Sequence, residues 1–363
     1  MKVLHFYKKT DKRAEQYISV LAGAMNEKAE YKYCCNLRTF HDELKNWNPD
    51  IVHLHGCWHL SIAIAAKIAA QKHIRTVITP HGQLEPWIMG QHRWTEKIPK
   101  LIIYQYRTLQ KASAIFAMGR MEANYLKAKN YNPNIEIVLN SLITDSINDK
   151  TMAQQVISVY QKVLDTNVLE TMETDTRIVL KALIKAGITR NSKWLTNQEK
   201  TLCTKINAKE WHKIAVFSSY ENINDVIGKG IAAIQIPIAT PLYETVDRYH
   251  RSKKNTNIKP LDYPSNNITV KFVTIAIETS KKHIKNGQFR IKQVIDMASM
   301  FRNNSIDEES LNNNLYELKL IKYASRLMHI LSDMTGLEEG FLVLPARNDK
   351  TARKMETKIL KYQ

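Results

Sequence analysis

Over its first 150 residues the sequence alternates short apolar runs with longer amphipathic stretches, and this alternation restricts the fold more than any other feature. The apolar runs are too short for helices and are apolar on both faces, which is typical of strands buried in a parallel sheet covered by helices on both sides. We therefore predict an α/β, Rossmann-like domain over residues 1–150. The predicted strands are 2–7, 50–56, 75–82, 113–119 and 135–141, and the predicted helices are 14–25, 60–73, 97–112 and 120–130.

The pattern changes after Asn140, because most later apolar residues recur at spacings of three and four. This period predicts a predominantly helical domain over residues 151–363. The run "NNITVKFVTIAI" is ambiguous between helix and strand, and the polar stretch at 250–267 predicts an exposed loop or mobile insertion.

The chain of 363 residues carries a formal net charge of +18, which favours a negatively charged partner or surface. No arginine-rich tract interleaved with aromatic residues occurs, so nucleic acid is the least favoured partner. Four cysteines without a disulfide pattern suit a reducing compartment. The N-terminal apolar run is too short for a signal peptide, and no run reaches the roughly 18 apolar residues of a membrane span. We expect a cytoplasmic protein that could rest on the inner membrane face.

The stretch "DIVHLHGCWH" at residues 50–59 raises a choice between a metal site and a strand end. In an extended strand His53, His55, Cys57 and His59 would all project to one side. Zinc needs three or four converging ligands, and the glycine at position 56 interrupts the extended geometry. We predict no metal site here.

Two different predicted strands end in the same His-Gly pair, His55-Gly56 and His81-Gly82. A glycine lets the chain turn sharply and lets a ligand approach the backbone. Ligands of parallel sheets bind beyond the carboxyl ends of the strands, which places both pairs at the expected binding edge.

The loop "QLEPWIMGQHRW" follows the second pair and carries Glu85 and Trp87. Aromatic faces stack on sugar rings and carboxylates bind hydroxyl pairs, so the loop suits a glycan. Trp87 could instead enter a membrane interface or pack in the core.

The segments "PDIVHLHG", "TVITPHGQLEPWIM", "KASAIFAMGRMEANYL" and "IEIVLNSL" together resemble the N-terminal half of family 4 glycosyltransferases of the GT-B fold. The resemblance covers about residues 47 to 145 and extends loosely to residue 1. It implies two Rossmann-like domains, of which the N-terminal one holds mainly the acceptor and the C-terminal one mainly a nucleotide sugar as donor substrate. It also implies a retaining reaction that needs neither metal nor cofactor.

Residue by residue, the resemblance implies that His81 faces the donor sugar and is the catalytic candidate. Glu122 matches the glutamate of the family's Ser-x-x-Glu turn, and Asn140 matches the asparagine of its Asn-Gly turn. With these two, the substrate-binding candidates are His55, Gly56, Gly82, Glu85 and Trp87.

Several positions depart from the family pattern. The loop "KKTDKRAEQ" after the first strand has no glycine, Gly119 stands where the turn serine is expected, and Ser141 replaces the glycine after Asn140. In the second half, the pair Lys229-Gly230 and the run starting at Glu339 look like chance matches to the donor-domain motifs.

Two hypotheses follow. The first is an enzyme that moves a hexose from a nucleotide sugar to a glycan or lipid-linked acceptor in surface-polysaccharide synthesis, with a partner chain supplying the donor domain if this chain lacks one. The second is a non-catalytic relative that acts as a scaffold and binds a glycan, lipid or partner protein. A third possibility, a nucleic-acid module in the helical half, rests on charge alone.

Overall fold

The computed structural model describes residues 1–25, 29–235, 247–249 and 269–360. They divide into two compact units. The first contains the described residues up to Thr166 together with 247–249, and the second contains the described residues 167–235 and 269–360.

The first unit is built on a six-stranded, fully parallel sheet with strand order β2-β1-β3-β4-β5-β6. Register places His5 beside His53, and His55 beside Thr79. The predicted α/β fold with a parallel sheet is therefore confirmed. The strands are β1 (Lys2–Phe6), β2 (Glu30–Cys34), β3 (Ile51–His55), β4 (Arg75–Thr79), β5 (Ala114–Ala117) and β6 (Ile135–Ile137).

Helices cover both faces of this sheet, and alternate strand residues supply the two cores. Leu4, Val52 and Ile78 pack on one face, whereas Val3 and Val77 pack on the other. The helices are α1 (Lys12–Ala24), α2 (Leu37–Asn46), α3 (Leu60–Gln71), α4 (Pro86–Gly90), α5 (Ile98–Lys100), α6 (Tyr106–Lys111), α7 (Arg120–Ala128) and α8 (Asp149–Asp165), with π-helical turns at Arg93–Lys97 and Leu101–Gln105.

Helix α8 extends the first unit past residue 150, where the sequence predicts the domain boundary. Its apolar residues Met152, Val156 and Tyr160 join the core on the same sheet face as α1. An amphipathic helix belongs to the unit that buries its apolar stripe.

The second unit is helical, and its described residues, 167–235 and 269–360, contain no strand. The predicted helical second half is thus confirmed, and the ambiguous run becomes helix from Val270 onward. The predicted loop at 250–267 lies outside the described residues. The helices are α9 (Val168–Thr171), α10 (Thr174–Thr189), α11 (Asn197–Lys205), α12 (Ala208–Glu221), α13 (Asn224–Ile234), α14 (Val270–Asn286), α15 (Ile291–Asn303), α16 (Glu308–Glu317), α17 (Ile321–Thr335) and α18 (Lys350–Leu360), with a 3₁₀ turn at Glu339–Phe341.

Helices α10 and α13 cross so closely that two glycines are required. A Cβ atom on Gly187 would lie 2.0 Å from the carbonyl oxygen of Val226, and one on Gly230 would lie 2.1 Å from that of Leu183. The Lys229-Gly230 pair is therefore part of a helix with a packing glycine.

No helix among the described residues is both long enough and apolar enough to cross a bilayer.

Candidate functional site: histidines at the strand ends

The two His-Gly pairs meet at the carboxyl edge of β3 and β4. Gly56 has a φ of 85° and donates its N–H to the Thr79 carbonyl at 2.8 Å. His81 has a φ of 55° and Gly82 a φ of 76°. Few residues other than glycine adopt this left-handed conformation, although histidine does so more often than most, and His73 and His92 also have positive φ values. The position of His81 at the strand ends therefore says more about function than its backbone angle does.

Three imidazole rings form a chain of hydrogen bonds across this edge. His5 Nδ1 lies 2.9 Å from His55 Nε2, and His55 Nδ1 lies 3.1 Å from His81 Nε2. The ring centres are 5.2 Å and 5.3 Å apart, and the ring planes differ by only 24° and 22°. Because the centres are so far apart and the nitrogens so close, the rings meet edge to edge, with each nitrogen directed at the next ring. We call His5, His55 and His81 the imidazole chain.

His53 lies beside the imidazole chain but bonds elsewhere. Its Nδ1 is 2.5 Å from the Tyr160 hydroxyl, and its Nε2 is 2.7 Å from Thr79 Oγ1. Both ring nitrogens therefore have hydroxyl partners, which makes His53 a fully bonded core histidine.

A metal ion is the other ligand that clustered histidines suggest, since nitrogens of His5, His53 and His55 all lie within 4.8 Å of one another. Two nitrogens bound to one tetrahedral zinc, each about 2.1 Å away, lie roughly 3.4 Å apart with both lone pairs aimed at the metal. The distance between His5 Nδ1 and His55 Nε2 is shorter, at 2.9 Å, and these two nitrogens point at each other instead of at a common centre. This geometry fits hydrogen bonding better than chelation.

Burial keeps these rings uncharged at neutral pH. It lowers the pKa of His5 to about 3 and the pKa of His81 to about 4, where nearby Asp11 raises and Arg13 lowers the latter. The pKa values of His53 and His55 are also held well below their usual range, mainly by burial and then by neighbouring histidines. A neutral imidazole has one donor and one acceptor nitrogen, so both hydrogen bonds of the imidazole chain can form between uncharged rings.

Glu122 is buried directly beneath the loop that follows His81. Its Oε2 accepts from the Met118 amide at 3.1 Å, while Oε1 makes no hydrogen bond of normal geometry. Burial raises the pKa of Glu122 to about 7, although the amides of Met118, Gly82 and Leu84 favour the charged form. Glu122 therefore supports the loop from below.

Two glutamines tie the neighbouring loops together. The side-chain oxygen of Gln83 accepts from the Cys57 amide at 2.6 Å, and that of Gln105 accepts from the Trp58 amide at 2.9 Å. The loops after β3 and β4 are thus fixed relative to each other. Asp11 joins them, because Gln83 Nε2 donates to its carboxylate at 3.4 Å.

The remaining predicted residues lie in different surroundings. Glu85 accepts a 2.7 Å hydrogen bond from Trp87 Nε1, and the Trp87 side chain is 60 % exposed, so it does not pack in the core. Asn140 is buried and its side chain accepts from the Leu142 amide at 3.0 Å, which closes a turn after β6.

In the loop between β1 and α1, a carboxylate caps the helix N-terminus. The family resemblance implies a glycine-rich loop that binds phosphate at this place. Asp11 caps α1 by accepting from the Ala14 amide at 3.1 Å. A bound diphosphate at this helix terminus would meet a negative side chain rather than unpaired amides.

Sequence reasoning missed several residues that build this edge. The pattern "KVLHFY" contains His5, but only the pairing of β1 with β3 shows that it reaches His55. Tyr160 belongs to no motif, and Gln83 lies in the quoted stretch after His81 but was given no role there. The sequence feature that could have indicated this contact is a histidine near the carboxyl end of each of two predicted strands, His5 in β1 and His55 in β3.

A comparison with known protein families finds a match within the first unit. Residues 5–145 match the family model described as Glycosyltransferase Family 4. No curated protein and no solved structure shows a significant match to the chain.

Proposed function

We propose that this glycosyltransferase-like protein transfers a hexose from a nucleotide sugar to a glycan or lipid-linked acceptor in surface-polysaccharide synthesis. The match of residues 5–145 to the family 4 glycosyltransferase model supports the proposal. The observation that supports this most is the position of His81. It lies at the carboxyl edge of the central strands in a strained backbone conformation, and its Nδ1 has no hydrogen-bond partner within the described residues.

In this proposal His81 donates or accepts one hydrogen bond to a sugar hydroxyl and so orients the sugar while positive charge develops at the anomeric carbon. Gly56 and Gly82 let the sugar approach the backbone, and Glu85 with Trp87 contacts the acceptor. The reaction retains anomeric configuration and uses neither metal nor cofactor.

The donor side is the open part of the proposal. The second unit is helical throughout its described residues, whereas the family resemblance implies a second Rossmann-like domain for the nucleotide. A partner chain that supplies this domain would complete the enzyme.

A panel of nucleotide sugars tests the proposal directly. We expect one member to raise the melting temperature of the purified chain, alone or with its partner chain, and to be hydrolysed slowly. His81→Asn should remove the hydrolysis while the chain stays folded, since asparagine tolerates the left-handed backbone. Absence of any response to nucleotides, in the presence of the partner chain too, would refute the transferase.

A non-catalytic relative is the second candidate, and Asp11 at the α1 terminus together with the helical second unit favours it. Such a protein would bind a glycan, lipid or partner protein through the strand-end site without affinity for nucleotides. Glycan-array binding that persists in His81→Asn, with no nucleotide-induced stabilisation, would support this candidate over the enzyme.

We also propose peripheral contact with the cytoplasmic membrane face. Trp94, Ile102 and Ile103 are 75 %, 73 % and 72 % exposed on one short stretch of a basic chain. Aromatic and aliphatic side chains of this kind enter the headgroup region, and positive charge favours anionic lipid. Sedimentation with phosphatidylglycerol vesicles should fall several-fold when Ile102 and Ile103 are both changed to serine, and equal binding of both proteins would contradict the contact.

A further inference from the structure

We propose that His5, His55 and His81 act as one hydrogen-bonded unit that decides whether Nδ1 of His81 donates or accepts a hydrogen bond toward a bound ligand. The proposal rests on the ligand-facing role of His81 given above. It assigns His5 and His55 as positioning residues, because both rings are buried and are linked to His81 through hydrogen bonds.

The first arrangement of protons follows from His55 donating through Nε2. His5 Nδ1 must then be bare, and neutral His5 carries its proton on Nε2. His55 Nδ1 is bare as well and accepts from His81 Nε2, which leaves His81 Nδ1 as an acceptor. All three rings are then Nε2–H tautomers.

The second arrangement reverses every bond. His5 donates through Nδ1 to His55 Nε2, and His55 donates through Nδ1 to His81 Nε2. His81 then carries its proton on Nδ1 and presents a donor. All three rings are Nδ1–H tautomers, so neutral rings that keep both hydrogen bonds must share one tautomer.

Three factors limit the imidazole chain to these two arrangements of protons. All three rings are buried, and burial holds their pKa values well below neutral pH, so none is an imidazolium there. A mixed arrangement would place two N–H groups or two lone pairs against each other in a buried site, which costs about 1–3 kcal/mol for each unpaired group. Both hydrogen bonds are nearly in the ring planes.

The titratable and charged groups around the imidazole chain do not replace either of its two hydrogen bonds. Tyr17 on α1 contacts the rings of His55 and His81 with centre distances of 5.8 Å and 5.2 Å. Asp11 and Arg13 act on His81 from the start of α1 with opposite signs. His53 bonds to Tyr160 and Thr79 instead, so it lies outside the chain.

The consequence concerns ligand preference. A ligand hydroxyl that donates to His81 selects the Nε2–H arrangement, and a ligand oxygen that only accepts selects the Nδ1–H arrangement. A change at His5, two rings away, therefore alters which of the two groups His81 can bind.

Nitrogen NMR on protein labelled at its histidine ring nitrogens tests the proposal, because it distinguishes protonated from bare nitrogens. At pH 7.5, after treatment with a chelator, His5, His55 and His81 should show the same tautomer and the same fractions of it. His53 is the internal control. Its centre is also 5.2 Å from that of His5, yet its tautomer should be independent of the chain.

His55→Phe removes the middle ring while keeping an aromatic side chain beside Tyr17. The tautomer fractions of His5 and His81 should then differ by several-fold, while His53 keeps its signals. If this variant does not fold, His5→Phe serves instead, and in it His55 and His81 should still share one tautomer.

Opposite dominant tautomers in any two of the three rings of the wild-type protein would overturn the proposal. So would stoichiometric Zn²⁺ binding that shifts the signals of His5, His53 and His55 together, since that result means a metal site. The measurement needs no sugar donor, so a failure of the proposed transferase activity leaves its outcome readable.

Discussion

At the scale of single residues, His81 combines an unfavourable backbone with a ring whose one nitrogen is open to a ligand. A non-glycine residue at a φ of 55° costs on the order of 1 kcal/mol that glycine would not. His81→Gly should therefore unfold with about 1 kcal/mol more free energy than His81→Ala, because both variants lose the same hydrogen bond to His55 and differ mainly in backbone strain. Urea unfolding of the two variants measures this difference. Equal stabilities would mean that the left-handed turn carries no strain.

Glu122 gives a second prediction at this scale, based on a carboxyl that burial holds partly protonated. Its pKa is raised to about 7 in the folded protein, above the usual 4.5. A raised carboxyl pKa means that the folded state binds the extra proton, so stability is present below pH 4.5 and is lost as pH rises through 7.

Glu122→Gln resembles the protonated form and should remove this loss. At pH 8 we expect the variant to be more stable than the wild type, by up to about 3 kcal/mol. At pH 5, where the wild-type side chain is itself protonated in the folded state, the gap should shrink to a small fraction of that. Urea titrations at both pH values provide the measurement, and a variant that is less stable at pH 8 would contradict the assignment.

At the scale of elements, the period of the apolar residues was enough to predict the strands that are buried on both faces. Strand β2 was missed because it lies at the sheet edge, where only Cys34 of its residues is buried and no apolar run forms. The imidazole chain was missed for another reason. Its members lie on β1, on β3 and after β4, and the sequence does not contain the order and register that bring these strands together.

The crossing of α10 and α13 gives a prediction about two glycines. Alanine at Gly187 or Gly230 would place its methyl group about 2 Å from a backbone carbonyl oxygen, and neither helix can move without opening the core. Each substitution should cost several kcal/mol of unfolding free energy. Gly23→Ala in α1 is the matched control, since a Cβ atom there meets nothing within 4 Å and alanine favours helix.

Thermal unfolding of the three variants separates the effects. We expect Gly23→Ala to keep or raise the melting temperature and the other two to lower it strongly. A Gly230→Ala protein of normal stability would reopen the possibility that this glycine is present for a ligand.

At the scale of the whole molecule, each unit has its own core, and the first unit contains more of the buried histidines than the second. The largest apolar cluster contains only residues from Val168 onward, and the sheet-face clusters contain only residues of the first unit. Among the described residues, the buried histidines with lowered pKa values are His5, His53, His55 and His81 in the first unit, and His283 in the second. Acid should therefore affect the two units differently.

The sign of the effect follows from the direction of these shifts. A histidine whose folded pKa lies below its unfolded value of 6.5 binds its proton more readily in the unfolded chain. Its contribution to stability is complete above pH 6.5 and is lost as pH falls toward the folded pKa, by about 1.4 kcal/mol per pH unit. Four such residues outweigh the opposite effect of Glu122, so the first unit should lose several kcal/mol between pH 6.5 and pH 5. The second unit should lose less.

Scanning calorimetry of the intact chain and of residues 167–363 alone, at pH 7.5, 6.0 and 5.0, measures both units. The fragment identifies which transition of the intact chain belongs to the second unit. The other transition should move to a much lower temperature on acidification, and His53→Phe, which removes one of the four titrating rings, should reduce that movement by about a quarter. Parallel acid shifts of both transitions would mean that the buried histidines do not govern the acid response, because only the first unit contains the cluster.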